Sequence, residues 1–252
     1  MRFLSWLIFI SLFAASCKNE TDEFALTQPS EYVALAKGKY ITYRLDSLVF
    51  VQQGRTEETH YYQEKHEVDA EVKDALGRPS FRIFRYLRDT AGLKSWSPAG
   101  TYFITATNGT LEVIEDNLRV VKLAAPLKEG AIWKGNSYLG TEPYASKFSF
   151  SNDDDMGKWD FIVKSTGLTI SIYGKTYNDV ITIDGIDESL NVPITDPRSF
   201  ATRSLYTEKY AKRIGMISQD FILWEYQPST APGNNSGTKT GFGVKRRIID
   251  HN

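Results

Sequence analysis

The chain has one cysteine, Cys17, in 252 residues. A single thiol closes no intrachain disulfide, builds no all-cysteine zinc site and holds no iron–sulfur cluster. Stability must come from packing and hydrogen bonding. Histidine is nearly as scarce, with only His60, His66 and His251. His60 and His66 are six apart, on one face of a strand with Glu64 between them. An extended strand separates them by about 20 Å, too far to share one metal, so the pair reads as solvated or packed. No metalloprotease spacing, Gly-x-Ser-x-Gly elbow or phosphate-cradling glycine loop occurs. Gly241-Phe242-Gly243 lacks the rest of a dinucleotide fingerprint. The formal charge of −1 gives no electrostatic case for nucleic acid as a partner. Past residue 16, no apolar run approaches the roughly 18 residues of a spanning helix.

What is present begins at the N-terminus. Arg2 is followed by an apolar stretch, Phe3 to Ala15, and then by Ser16, Cys17 and the polar run Lys18-Asn19-Glu20-Thr21-Asp22-Glu23. The apolar stretch has the length of a signal-peptide h-region, roughly 7–15 residues. Ala14-Ala15-Ser16-Cys17 resembles the lipobox of bacterial lipoproteins, where cleavage before the cysteine is followed by its acylation. Ala14 stands where lipoboxes usually carry Leu, and an ordinary small-residue cleavage site is the competing reading. One acyl chain gives only marginal attachment; the resemblance implies a two- or three-chain anchor. The expected organisation is a signal peptide over 1–16, then lipidated Cys17 and a tether over 17–34. The expected location is the outer membrane, periplasmic or surface-exposed. The acidic run also resembles export signals of Bacteroidota surface lipoproteins, set against a plain solvated linker.

The remainder reads as strands. Tyr40–Phe50, His60–Lys73 and Ser80–Asp89 are rich in β-branched and aromatic residues with partial period-two alternation. Thr101–Thr107 and Thr110–Glu115 flank Asn108-Gly109, a strong hairpin signal. Further strands are expected at Lys147–Phe150, Trp159–Lys164, Leu168–Tyr173, Thr176–Ile186, Ser204–Ala211, Met216–Tyr226 and Gly241–Ile249. The window Ser199–Arg213 also admits a helix, and strand is preferred because a turn follows at Arg213-Ile214-Gly215. The loop Pro228–Thr240 is rich in Pro, Gly, Asn and Ser. The fold class is therefore all-β: an antiparallel curved sheet, half-barrel or sandwich. Pro126-Leu127-Lys128-Glu129-Gly130 echoes Leu35-Ala36-Lys37-Gly38, which suggests two β halves, 35–124 and 125–252.

Pro126-Leu127-x-x-Gly130-x-x-Trp133, Tyr173-Gly174-Lys175-Thr176-Tyr177 and Tyr206-x-x-x-Tyr210-Ala211-x-x-Ile214-Gly215 carry a further likeness. They resemble uncharacterised Bacteroidota envelope lipoproteins and curved β-sheet periplasmic domains of the lipoprotein-carrier (Lol) type. The resemblance spans roughly residues 120 to 225 and implies a fold, not a reaction. Asp46-Ser47-Leu48 and Asp89-Thr90-Ala91 resemble Bacteroidota O-glycosylation sites, which makes Ser47 and Thr90 candidate acceptors.

Asn152-Asp153-Asp154-Asp155 is the densest carboxylate cluster. Asp153 and Asp155 are candidate Ca²⁺ ligands, although the EF-hand spacing is missing and a solvated acidic loop explains the run as well. Trp96, beside Ser95, Ser97 and Pro98, is the tryptophan best placed to lie at a groove and touch a ligand. Lys245-Arg246-Arg247 reads as charge guarding a sheet edge. No cofactor is expected. The leading functional expectation is a lipid-anchored envelope protein that binds or scaffolds, holding an apolar ligand in a concave sheet. Surface glycan binding and a hydrolytic enzyme without a recognisable motif are the alternatives.

Overall fold

The computed structural model describes residues 27–252 except 149, 152–154 and 232–235. Its strands are β1 (Tyr40–Val51), β2 (Thr56–Lys73), β3 (Pro79–Asp89), β4 (Ser97–Ala106), β5 (Thr110–Glu115), β6 (Leu118–Ala124), β7 (Ile132–Trp133), β8 (Phe161–Ile172), β9 (Lys175–Leu190), β10 (Ala201–Ala211), β11 (Gly215–Pro228) and β12 (Gly237–His251). They form one antiparallel sheet of order β6-β5-β4-β3-β2-β1-β12-β11-β10-β9-β8-β7, nearly closed into a barrel. Each strand pairs with its sequence neighbour except at the centre, where β1 meets β12, and at the edges β6 and β7. The all-β antiparallel expectation holds. No helix among the described residues is long and apolar enough to cross a membrane.

The free edges meet at a seam. Val121 donates its backbone N–H to the Gly135 carbonyl at 2.8 Å, and the Trp133 indole donates to the Val121 carbonyl at 2.8 Å. These bonds answer polar groups that an open edge would leave unpaired. Gly135 has no room for a side chain: a Cβ would lie 2.5 Å from Cδ2 of Phe161, which is wholly buried. Gly135→Ala is therefore expected to cost about 1–3 kcal/mol through overpacking, read as a lower urea midpoint with an unchanged slope.

Register separates the two ends of the barrel. At what we call the upper end lie the start of β1, the end of β12 and the turns 74–78, 107–109, 173–174 and 212–214. The segment 134–160 leaves β7 at the lower end. It closes that end with aromatic rings. Phe148 stacks on Phe242 with centroids 4.1 Å apart, Tyr144 meets Phe221 edge-on at 5.6 Å, and Phe150 meets Phe242 edge-on at 6.4 Å. Met156, Trp159 and Phe161 complete this layer against Tyr206 and Leu223.

Several local readings change. Ala145–Phe148 is a single helical turn (α1), not part of a strand. The Phe148 N–H bonds the Tyr144 carbonyl at 3.0 Å, and the i, i+4 spacing brings both rings onto Phe242. The two strands expected at Trp159–Lys164 and Leu168–Tyr173 are one strand, β8, whose register shifts around Ser165–Leu168 made it read as two. The window Ser199–Arg213 is strand: Ser204, Tyr206, Glu208 and Tyr210 are all buried and alternate with less buried residues. Strand β12 is central, paired on both sides, so Lys245-Arg246-Arg247 guards no edge.

Candidate functional site

Between the aromatic layer and the upper end, the barrel encloses a cavity of about 130 Å³ that opens at its mouth. Exposed Lys39 and Asn252 lie at the mouth, next to Tyr40 and His251. The segment before β1 crosses this end, and its Val33, Ala34 and Leu35 form part of the wall. Below them comes a collar of aliphatic side chains, including Ile41, Val68, Ile83, Ile104, Val113 and Met216. Alternation puts them there: each strand of the wall offers every second residue to the interior.

The floor is charged. Lys122 on β6 reaches across to β10, where its Nζ donates to Glu208 Oε1 at 2.8 Å and to the Tyr206 hydroxyl at 2.5 Å. Tyr210 donates its hydroxyl to Glu208 Oε2 at 2.6 Å, and Gln219 Nε2 donates to Glu208 Oε1 at 2.6 Å. Arg246 Nη1 donates to Gln219 Oε1, which extends the network to β12. Arg246 Nε then donates to Glu64 Oε2 at 2.6 Å, on β2. Arg85 continues the belt, with Nε 3.6 Å from Glu64 Oε1 and Nη1 bonded to Glu115. His66 bridges Nδ1 to the Tyr102 hydroxyl at 2.9 Å and packs edge-on against Tyr43. Its Nε2 stands 3.3 Å from Glu64 Oε2 but off the line of a hydrogen bond, and has no other partner.

Burial alone would favour the neutral acid at Glu64, but Arg246 and His66 outweigh it and hold the carboxyl well below the usual carboxylate range. Burial likewise opposes charge at Glu208, and Lys122 with the Tyr210 and Tyr206 hydroxyls outweighs it, so this carboxyl is also lowered. Burial raises Tyr102, Tyr206 and Tyr210 well above the ordinary phenol value, which keeps them neutral donors. Both carboxyls thus have folded pKa values below their unfolded ones, and the unfolded chain binds more protons in acid. Their contribution to stability is whole above the unfolded value of about 4.3 and is lost as pH falls toward the folded values. Melting temperature should be flat from pH 7 to about pH 5 and fall below it. A decline already under way between about pH 7 and pH 6 would contradict this assignment.

Most of the described residues singled out by sequence lie elsewhere. Cys17 and Asp153 are outside the described residues. Asp155 is exposed and pairs with Lys158 at 2.7 Å, and among the described residues no cluster of three His, Cys, Asp or Glu could hold a metal. Trp96 does not line the cavity. It is half-buried beneath Arg88, whose guanidinium lies 4.2 Å from the ring centroid. Thr90 is exposed on the turn after β3, whereas Ser47 sits in central strand β1, paired on both sides. His60 is on the half-exposed part of β2 with Glu58 at 2.9 Å, while His66 and Glu64 belong to the floor.

Sequence reasoning missed Lys122, Glu208 and Arg246. A charged residue in a strand ordinarily marks a solvent face, and these three face inward only because they pair across the barrel. The available signal was Tyr206-x-Glu208-x-Tyr210, a carboxylate at the parity of two large aromatics.

No protein-family model matches the chain, and no curated protein matches it. Two solved structures align over 86% of this chain and 98% of their own. One is a provisionally designated exported protein with a YMCC-like fold from Bacteroides fragilis, with 11% identity and a TM-score of 0.36. The other is a provisionally designated lipoprotein from Parabacteroides distasonis, with 12% identity and a TM-score of 0.34. Likeness at this level transfers neither fold nor function, and the site rests on this chain's own residues.

Proposed function

We propose that the chain is a lipid-anchored envelope protein, carried on the outer membrane through Cys17, whose barrel holds a small amphiphile. The observation behind this reading is the layering of the cavity: an aliphatic collar next to the mouth and a charged, hydrogen-bonding floor beneath it. The collar favours hydrocarbon by removing it from water. The floor offers donors and acceptors to one polar group, and the ion pairs already there keep it near neutral overall. A glycan site at Trp96 has less support, since Arg88 already covers one face of that ring.

The test uses the acylated full chain purified from membranes. Solvent extraction and mass spectrometry should find an amphiphile held in stoichiometric amount, and cis-parinaric acid should bind with displaceable fluorescence. Val113→Trp fills the collar and should abolish both, as should Leu35→Trp at the mouth, with urea midpoints confirming that each variant folds. If wild type and folded variants carry the same lipid and bind the same probe, the cavity is not the site.

A further inference from the structure

We infer that the cavity mouth faces the bilayer that holds the anchor, so that the amphiphile passes directly between that bilayer and the barrel. This rests on the lipid-anchored, amphiphile-holding reading above and adds a direction and a source.

The argument starts where the chain joins the fold. Residues 29–32 form a short turn in which Gln28 N–H is capped by Glu31 Oε1 at 2.7 Å. That turn is pinned to the upper end. Arg213 N–H donates to the Glu31 carbonyl at 2.6 Å, Lys212 pairs with the Glu31 carboxylate at 2.8 Å, and the Tyr32 ring is buried in the interior core. The next three residues, Val33 to Leu35, line the cavity itself. The described chain therefore enters the fold at the upper end, beside the segment that lines the cavity.

Distance then favours one orientation. Thr27 is ten residues from Cys17, a span of at most about 35 Å. Strand β12 has 15 residues, about 50 Å of strand, and a tilt of 35–45° leaves about 35–40 Å along the axis. With its anchor inserted, the chain could lay the lower end on the bilayer only if residues 17–27 were drawn out to their full length, and that end is in any case filled by the rings of Tyr144, Phe148 and Phe150. Exposed apolar side chains do not choose between the ends, since Leu76 and Tyr173 mark upper turns while Leu93 and Leu190 stand at the lower end. The pinned segment does. A ligand leaving the upper mouth then meets lipid before bulk water, which removes much of the cost of exposing its hydrocarbon.

The test places the acylated full chain in vesicles of phosphatidylethanolamine and phosphatidylglycerol containing a trace of diazirine-labelled palmitic acid. After irradiation, adducts should appear on Leu35, Ile41, Ile214 or Met216. A 20-residue Gly-Ser spacer inserted after Glu23 behaves as flexible coil and frees the barrel to turn away, so vesicle labelling should drop several-fold. The same probe in detergent micelles should label both chains equally. Labelling in micelles but not in vesicles, or vesicle labelling unchanged by the spacer, overturns the orientation and leaves the binding reading standing. No labelling of the collar in either setting overturns both.

Discussion

Arg246→Met should lower folding stability by about 3–5 kcal/mol, the range found when one partner of a buried ion pair is removed. Glu64 is 2% exposed, and in the variant it keeps only His66 and the more distant Arg85 nearby. Gln219 also loses the guanidinium donor at its Oε1. A buried carboxylate without its cation either stays charged at high cost or takes up a proton. The variant should therefore show both a lower urea midpoint and a raised Glu64 pKa, with its melting temperature falling as pH rises toward neutrality. The double variant Glu64→Leu, Arg246→Met separates pairing from packing. Replacing both partners with apolar groups is often near neutral, so most of the loss should return, less about 1 kcal/mol for the stranded Gln219. A single variant as stable as wild type would mean that the ion pair across the floor contributes little.

Cys17→Ala should move the protein from the membrane fraction to the soluble fraction and abolish incorporation of labelled palmitate. The expected effect is complete because Cys17 is the only thiol in the chain, and stable anchoring needs more than one acyl chain or a second signal. Persistent membrane fractionation together with palmitate labelling would remove the anchor, and with it the orientation inferred for the cavity.

How legible the fold was depended on local signals. Asn108-Gly109 between apolar strands marked the β4–β5 hairpin, and the turn after Ala211 separated β10 from β11. Both are chemistry within a few residues. On β2, Tyr62, Glu64, His66 and Val68 share one parity, and all four are at least half-buried. The parity reading breaks at Ala70 because the register shifts between Val68 and Ala70, and no residue type announces that shift. Strand β6 escaped notice because Arg119 and Lys122 interrupt its apolar residues. Lys122 is compatible with the interior only because Glu208, from a strand 86 residues later, waits there.

By itself the sequence determined an antiparallel all-β chain, the absence of an intrachain disulfide and of an all-cysteine metal site, and Cys17 as the single thiol. These follow from side-chain periodicity, turn chemistry and residue counts, which act over short range. The tertiary structure alone decided that β1 and β12 close the middle of one sheet, that residues 134–160 seal one end, and that scattered charges on β2, β6, β10 and β12 meet as a floor. Each of those depends on contacts between distant parts of the chain. A buried Lys or Glu is stable only with its partner in place, and which residue is the partner is a property of the closed barrel.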